Sequence, residues 1–526
     1  MKRSIACIAA GLLLSCGLAF GQTTSGSGAA PPPIPDNPDS LFGPQGNSAS
    51  GGSTSSGSTA DSQTAQPAQS TQPGSAATTE SPDSMFQGGM VENATTKAQT
   101  ENAGAAQALI AYKGVQLGGS LDSEFIAYGL WGNSYPDLTD LAKNFNDQLV
   151  PQLQGDLYFD ARPDEHFRVF GKVQATYPYQ TSQTINYLTP GPGGSLANPA
   201  SASATISVPN VQLFELFSDF DYKSTVFFRV GQQVVNWGVG YFFSPADVLS
   251  LTPINPEKPT QERQGPVAAQ LNLPFATVDN FYTYVIADQA FANGGTFHVD
   301  QLAVAPKLEF VVGNYELSLA GYYQKDRRPK AMVMASGSLW KLSVFGEGVV
   351  SYGADHTLVE AGAIPGTYAT YTDDTTPYFT GTVGFSYLQA DYHLSLFAQY
   401  LYNGQGYSNP DLVNGGYLLL ASEAAGLASP SPALTASDLT QPGRQYGAAV
   451  ASWSNINDSN FTLATFWEGN LSDGSGIVMP SVAWAPFDHF SLTLAANVGY
   501  GPDNTEFVRA GRFSVSLDVS LGTGIF

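Results

Sequence analysis

Only two cysteines, Cys7 and Cys16, occur in the 526 residues, and both fall in an N-terminal segment with the pattern of a cleaved export signal. A chain that loses that segment can form no disulfide and hold no thiolate metal site. Basic residues are also scarce: 21 Lys and Arg stand against 44 Asp and Glu, for a formal charge of −23. That balance excludes nucleic acid as a partner, because phosphates need basic groups. Beyond residue 21 no run reaches the roughly 18 apolar residues of a membrane-crossing helix, so the 43% hydrophobic content must be spread differently. Histidine is limited to His166, His298, His356, His393 and His489. No pair of them has zinc-ligand spacing with a third ligand nearby, and no serine sits in a Gly-x-Ser-x-Gly elbow. His298 near Asp300 and His356 beside Asp355 read as surface residues rather than a catalytic dyad. Phosphate-loop and dinucleotide glycine motifs are missing as well. The chain is therefore expected to be no enzyme and to use no cofactor and no metal.

What is present begins with Lys2 and Arg3, an apolar run from Ile5 to Leu14, and the small-residue exit Ala19-Phe20-Gly21. This predicts a signal peptide over 1–21, cleaved before Gln22. A rival reading is lipidation at Cys16, since Leu13-Leu14-Ser15-Cys16 loosely resembles the lipobox of bacterial lipoproteins. Cleavage takes the charge from −23 to −25. Residues 22–112 are dominated by Gly, Ser, Thr, Ala, Pro and Gln, too little apolar surface to offset ordering entropy, and a disordered periplasmic extension is expected. Two islands, Pro38-Asp39-Ser40-Leu41-Phe42 and Pro82-Asp83-Ser84-Met85-Phe86, share the pattern Pro-Asp-Ser-apolar-Phe. They read either as docking peptides for a periplasmic partner or as chance retention in low-complexity sequence.

From residue 113 to 526 the texture changes to segments of about 9 to 14 residues with alternating polarity. Leu153, Gly155, Leu157, Phe159 and Ala161 oppose Gln152, Gln154, Asp156, Tyr158 and Asp160; Phe513, Val515, Leu517, Val519 and Leu521 oppose Ser514, Ser516, Asp518 and Ser520. One apolar and one polar face per strand is the pattern of a closed barrel in lipid, not of a core strand buried on both faces. Eighteen such segments can be traced, or sixteen if 331–350 is one strand split in two. Short links such as Gly313-Asn314 alternate with long ones at 180–208, 239–266, 351–377 and 405–442. The fold class expected is thus all-β, a transmembrane antiparallel β-barrel. Its partners would be outer-membrane lipids and, through the strand ending at Phe526, the barrel-assembly machinery. Phe526 falls out of phase with the apolar series 513–521, which a bulge at Gly522-Thr523-Gly524 would correct.

Alternation assigns Asp122, Glu124, Asp156, Asp160, Arg168, Lys172, Glu215, Asp219, Lys307, Glu309, Glu316, Lys341, Glu347, Glu468 and Asp518 to the lumen. Segment 22–112 carries seven acids against Lys97, so −19 of the −25 belongs to the barrel, and a preference for cations is expected. The most distinctive passage runs Arg229-Val230-Gly231-Gln232-Gln233, then Trp237-Gly238, Pro245-Ala246-Asp247 and Arg263-Gln264-Gly265. It resembles a group of porin-like bacterial outer-membrane barrels. The resemblance implies a channel-type barrel of about eighteen strands, and in general porins the third external loop folds inward as the constriction. Residues 239–266 are that third loop. Lys258, Glu262 and Arg263 would face Asp247 or Glu215 across the lumen, with Arg229 on the wall, and opposed charges there would sieve small solutes. Alternatively Glu262 and Arg263 pin the loop to the wall.

A second basic cluster, Lys325 to Lys330, reads as a solvated charged loop or as a contact for anionic lipid or solute. The sequence thus points to passive diffusion of small hydrophilic solutes. The alternative is a barrel-anchored adhesin or binding protein acting through its long loops.

Overall fold

The computed structural model describes residues 110–525 except 113, 132–134, 138, 141, 144, 165, 192–194, 276–278, 288–297, 426–428, 510 and 523; at 110–112, 178–209 and 525 it describes the backbone alone. The expected signal, the Pro-Asp-Ser motifs and Phe526 lie outside the described residues.

Eighteen antiparallel strands close into a barrel. In chain order they are β1 Val115–Leu130, β2 Asn146–Asp164, β3 Phe167–Gly191, β4 Ser195–Tyr222, β5 Val226–Gln232, β6 Val267–Pro274, β7 Asn280–Ile286, β8 Ala303–Val312 and β9 Tyr315–Tyr322. The second half comprises β10 Lys330–Leu339, β11 Leu342–Tyr352, β12 Pro377–Gln389, β13 Leu394–Asn403, β14 Gln445–Trp453, β15 Phe461–Asn470, β16 Ser475–Phe487, β17 Phe490–Tyr500 and β18 Phe513–Leu521. Each pairs with its successor, and β18 pairs with β1 from Glu124↔Ser520 to Leu130↔Ser514, so no wall strand keeps an open edge. A short strand, Ile110–Tyr112, folds back on the start of β1.

The two faces follow the alternation. Leu149, Leu157, Val333, Val383 and Leu494 stand exposed on the outside, an apolar exterior suited to hydrocarbon. Asp122, Glu124, Asp156, Asp160, Arg168, Lys172, Asp219, Glu347 and Glu468 point inward and are buried. Lys341 does not join them. It lies in a two-residue turn with Trp340, whose φ of 62° closes the β10–β11 hairpin at Leu339↔Leu342. That turn makes 331–350 two strands and the total eighteen.

The link expected at 180–208 is not a loop. β3 pairs with β2 only as far as Thr176↔Gln154, and β4 with β5 only as far as Leu216↔Gln232. Beyond those points β3 and β4 pair with each other, from Gln180↔Pro209 to Gly191↔Ser195, as a two-stranded ribbon. Thr181, Thr184, Ile185, Tyr187, Ile206 and Val208 supply the β-branched and aromatic residues that favour it.

At the other end of the chain, Ser520 pairs with Glu124 but Gly524 pairs with Leu121. One extra residue has entered the strand, after Gly522 at φ 65° with its amide donating to His489 O at 2.8 Å. This is the bulge that the sequence called for, and it sets position 524 opposite the outward-facing Leu121.

The lumen and its inward loop

β5 leaves the wall at Gln232, six residues before the alternation suggests. Gly231 makes the exit: its φ is 136°, and a Cβ there would lie 2.1 Å from Leu216 O. Residues 233–266 then fold into the barrel. Val235, Trp237, Ala246 and Leu249 pack on Tyr282, Tyr284, Met332, Met334 and Val349, all inward-facing on β7, β10 and β11. Tyr241, Phe242 and Phe243 pack on Phe345, Phe397, Tyr446 and Phe466, on β11 and β13–β15. The loop thus spans the lumen between walls that are far apart around the ring.

Two side chains hold this crossing. The Glu347 carboxylate accepts from the amides of Val239 at 2.5 Å, Gly240 at 2.6 Å and Ala246 at 2.9 Å, and from Ser244 Oγ at 2.9 Å. Gln399 Oε1 accepts from the successive amides of Tyr241, Phe242 and Phe243 at 3.1, 2.7 and 3.3 Å, while its Nε2 donates to Phe243 O at 2.5 Å. A buried anion is tolerable when it satisfies so many donors. Gly238 leaves the room: a Cβ there would meet Ser244 Oγ at 1.9 Å and Glu347 Oε1 at 2.5 Å. Burial also raises the Tyr241 phenol well above its ordinary value.

The six residues singled out by sequence fall into four places. Glu262 lies 2.5 Å from Lys172 Nζ, and Lys172 also stands 3.6 Å from Asp156. Glu215 is within electrostatic reach of that lysine, and its Oε1 accepts from Val234 N at 3.0 Å. A register break between Lys172 and Val173 turns it there. Arg263 and Asp247 pair at 2.5 Å within the loop, joining its two limbs. Arg229 stays on the wall, donating to both oxygens of Asp219 at 2.6 and 3.0 Å with its guanidinium 4.2 Å above Phe217. It ends a row, Asp160–Arg168–Asp219–Arg229, of alternating sign across β2–β5. Lys258, at the loop tip, is within electrostatic reach of Asp518 on β18, and its neighbour Glu257 is within reach of Glu468 on β15. Asp518 in turn neighbours Asp122 and Glu124 on β1. The sector facing the tip is therefore acidic.

Of the two anchors, Glu347 is placed on the lumen wall by alternation but given no role, and Gln399 is not singled out. A signal did exist, since β7 and β10 are apolar on inward positions too, at Tyr282, Tyr284, Ile286, Met332 and Met334, which means something covers them.

Above the loop, at the end of the barrel with the long connections, two of these pack together. A hairpin, Leu358–Ala361 with Tyr368–Tyr371, meets helix α1, Pro410–Ala424, capped by Asn409, whose side chain accepts from Asp411 N. Gly415 allows the contact, since a Cβ there would lie 2.2 Å from the Tyr368 ring. Leu358, Val359, Val413, Leu434 and Leu439 form the shared core. Burial lowers the nearby His356 imidazole. A short helix α2, Glu506–Arg509, reaches across: Arg509 donates to Asn414 Oδ1 at 2.6 Å and stacks 4.0 Å above Tyr417. Glu506 accepts from Tyr446 Oη at 2.7 Å and Asn470 Nδ2 at 2.8 Å, and burial pushes its carboxyl up to about 7. In the basic cluster, Lys325 pairs with Asp300 at 2.6 Å, Lys330 with Asp355 at 3.0 Å, and Arg328 with Asp374.

No family model and no curated protein sequence matches the chain. Among solved structures it is similar to Pseudomonas aeruginosa OccK8 (OprE), at 9% identity over 78% of this chain and 98% of that one, with a TM-score of 0.41. It is also similar to Acinetobacter baumannii OccAB1, at 10% identity over 79% and 99% with a TM-score of 0.40, and to Salmonella typhi OmpF, at 9% identity over 79% and 99% with a TM-score of 0.35.

Proposed function

We propose that this protein is an outer-membrane channel for passive diffusion of small hydrophilic solutes, preferring cations, with the inward loop as its constriction. The observation that carries the reading is the loop itself, fastened at Glu347 and Gln399 with its tip against the charged sector. A loop that served no filter would have no need of two dedicated wall anchors and a tip directed at acids. Asp122, Glu124 and Asp518 line that sector with Lys258 facing them, and fixed carboxylates in a narrow passage concentrate cations.

In this reading residues 1–21 direct export, 22–112 form a periplasmic leash whose Pro-Asp-Ser-apolar-Phe motifs engage a partner there, and the strand ending at Phe526 addresses the assembly machinery. The apolar exterior meets outer-membrane lipid.

The experiment is conductance of the folded protein in planar bilayers, with reversal potentials in a salt gradient, beside a variant lacking 239–266. Cation-selective steps that widen on deletion support the reading. A folded but silent barrel in both forms rejects it. That result would favour an anchored binding protein, for which the ribbon formed by β3 and β4 beyond the wall is the natural contact surface.

A further inference from the structure

We infer that the lumen holds a binding site for an organic cation, an alkylammonium or guanidinium group, at Glu468 and Glu257. The inference deepens the channel reading and rests on it for access to the lumen. Glu468 points inward from β15, is 4% exposed, and has no hydrogen bond or ion pair with any described residue. The contrast with other inward acids is direct: Glu347 has four donors, and Asp160 and Asp219 have arginines. The charges within reach of Glu468 are Glu257 and Glu506, both of its own sign. Glu506 is occupied by Tyr446 and Asn470. Glu257 stands exposed on the loop tip, beside Lys258, which also reaches Asp518 on β18. A nearly buried carboxylate among like charges is costly unless it holds a proton or a cation joins it, and an organic cation entering the lumen would displace that proton.

The surroundings select the kind of cation. Among the described residues no three carboxylate, histidine or cysteine side chains stand together closely enough to chelate a metal ion. Instead the residues opposite Glu468 on the neighbouring strands are aliphatic, Ala448 on β14 and Ile477 on β16. Such a flank favours a cation with a hydrocarbon body, held by charge-assisted hydrogen bonds at one end and methylene contact along its length.

The test is calorimetric titration of the folded full-length protein with 1,4-diaminobutane and, separately, guanidinium. The parent and Glu360→Gln, an exposed hairpin change, should bind alike. Glu468→Gln should weaken binding by about tenfold or more, and Glu257→Gln should weaken it severalfold. Should Glu468→Gln fail to fold, Glu257→Gln decides, because it alters only a solvent-facing side chain. Unchanged affinity in the folded variants, or no saturable binding to the parent, overturns the inference. Bilayer currents separate the two readings: a silent barrel that still binds the diamine loses the channel but keeps the site, whereas a conducting barrel with no Glu468-dependent binding loses only the site.

Discussion

The carboxylate of Glu262 rests 2.5 Å from the ammonium of Lys172, a wall residue 90 positions earlier in the chain. The lysine is buried and the glutamate nearly half exposed, so water screens one side of the pair. Glu262→Gln, which leaves Lys172 paired with Asp156, should therefore weaken the attachment of the loop's returning limb by only about 0.5–1 kcal/mol. Loop mobility should rise without loss of the barrel, seen as noisier open-channel current at unchanged melting temperature.

Removing Glu347 should be more severe. Its carboxylate satisfies three backbone amides and a hydroxyl, and each buried donor left without a partner costs about 1–3 kcal/mol. Glu347→Ala should release the 239–246 segment, increase conductance and open the loop to protease. Glu347→Gln keeps one acceptor oxygen and should lie between the two.

Gly265 tests whether the loop must close back onto its own entrance. A Cβ there would lie 1.7 Å from Gln233 O, and Gln233 N donates to Pro266 O at 3.2 Å. Gly265→Ala cannot be absorbed by a side-chain shift, because the obstruction is backbone. The expected result is a barrel that still folds but whose loop is cleaved readily and whose conductance approaches that of the deletion.

The contact between α2 and the barrel should depend on pH. The Glu506 carboxyl is raised to about 7 from its ordinary 4.5, chiefly by burial. Its neutral form therefore stabilises docking, fully below about pH 4.5, and this contribution is lost as pH rises through about 7, by at most about 3 kcal/mol. Protection of the amides of 506–509, corrected for the intrinsic rise of exchange with pH, should fall between about pH 4.5 and 7 and level off above, and Glu506→Gln should abolish that step. Constant protection across that range in the parent chain would refute it.

All eighteen strands were legible because the alternation is written in residues such as Leu157 against Asp156, where each position sees either the outside or the lumen. The places that escaped have physical reasons. Trp340 is no turn former by composition, yet its left-handed conformation makes the β10–β11 turn. Pro190, Gly191 and Pro192 suggest a loop, although strand pairing runs to Gly191↔Ser195. The inward loop was hardest at its start. Val235 and Trp237 keep the phase of inward-facing Arg229, so alternation continues β5 past Gln232 and sets them on the lumen face of a strand that has already left the wall. Glu347 illustrates the same limit for the site: its role depends on amides more than a hundred positions earlier.

The seam between β1 and β18 joins the first wall strand to the eighteenth, with Glu124 opposite Ser520 at a separation of roughly 400 residues. Until β18 is in place, β1 presents an unsatisfied edge on that side beyond Leu117, where the short strand Ile110–Tyr112 stops covering it. Ring closure therefore requires both ends of the barrel sequence to be present at once. Any chain cut short before residue 513 would carry two open edges, and its fate would be capture by a chaperone, proteolysis or pairing with a second truncated chain.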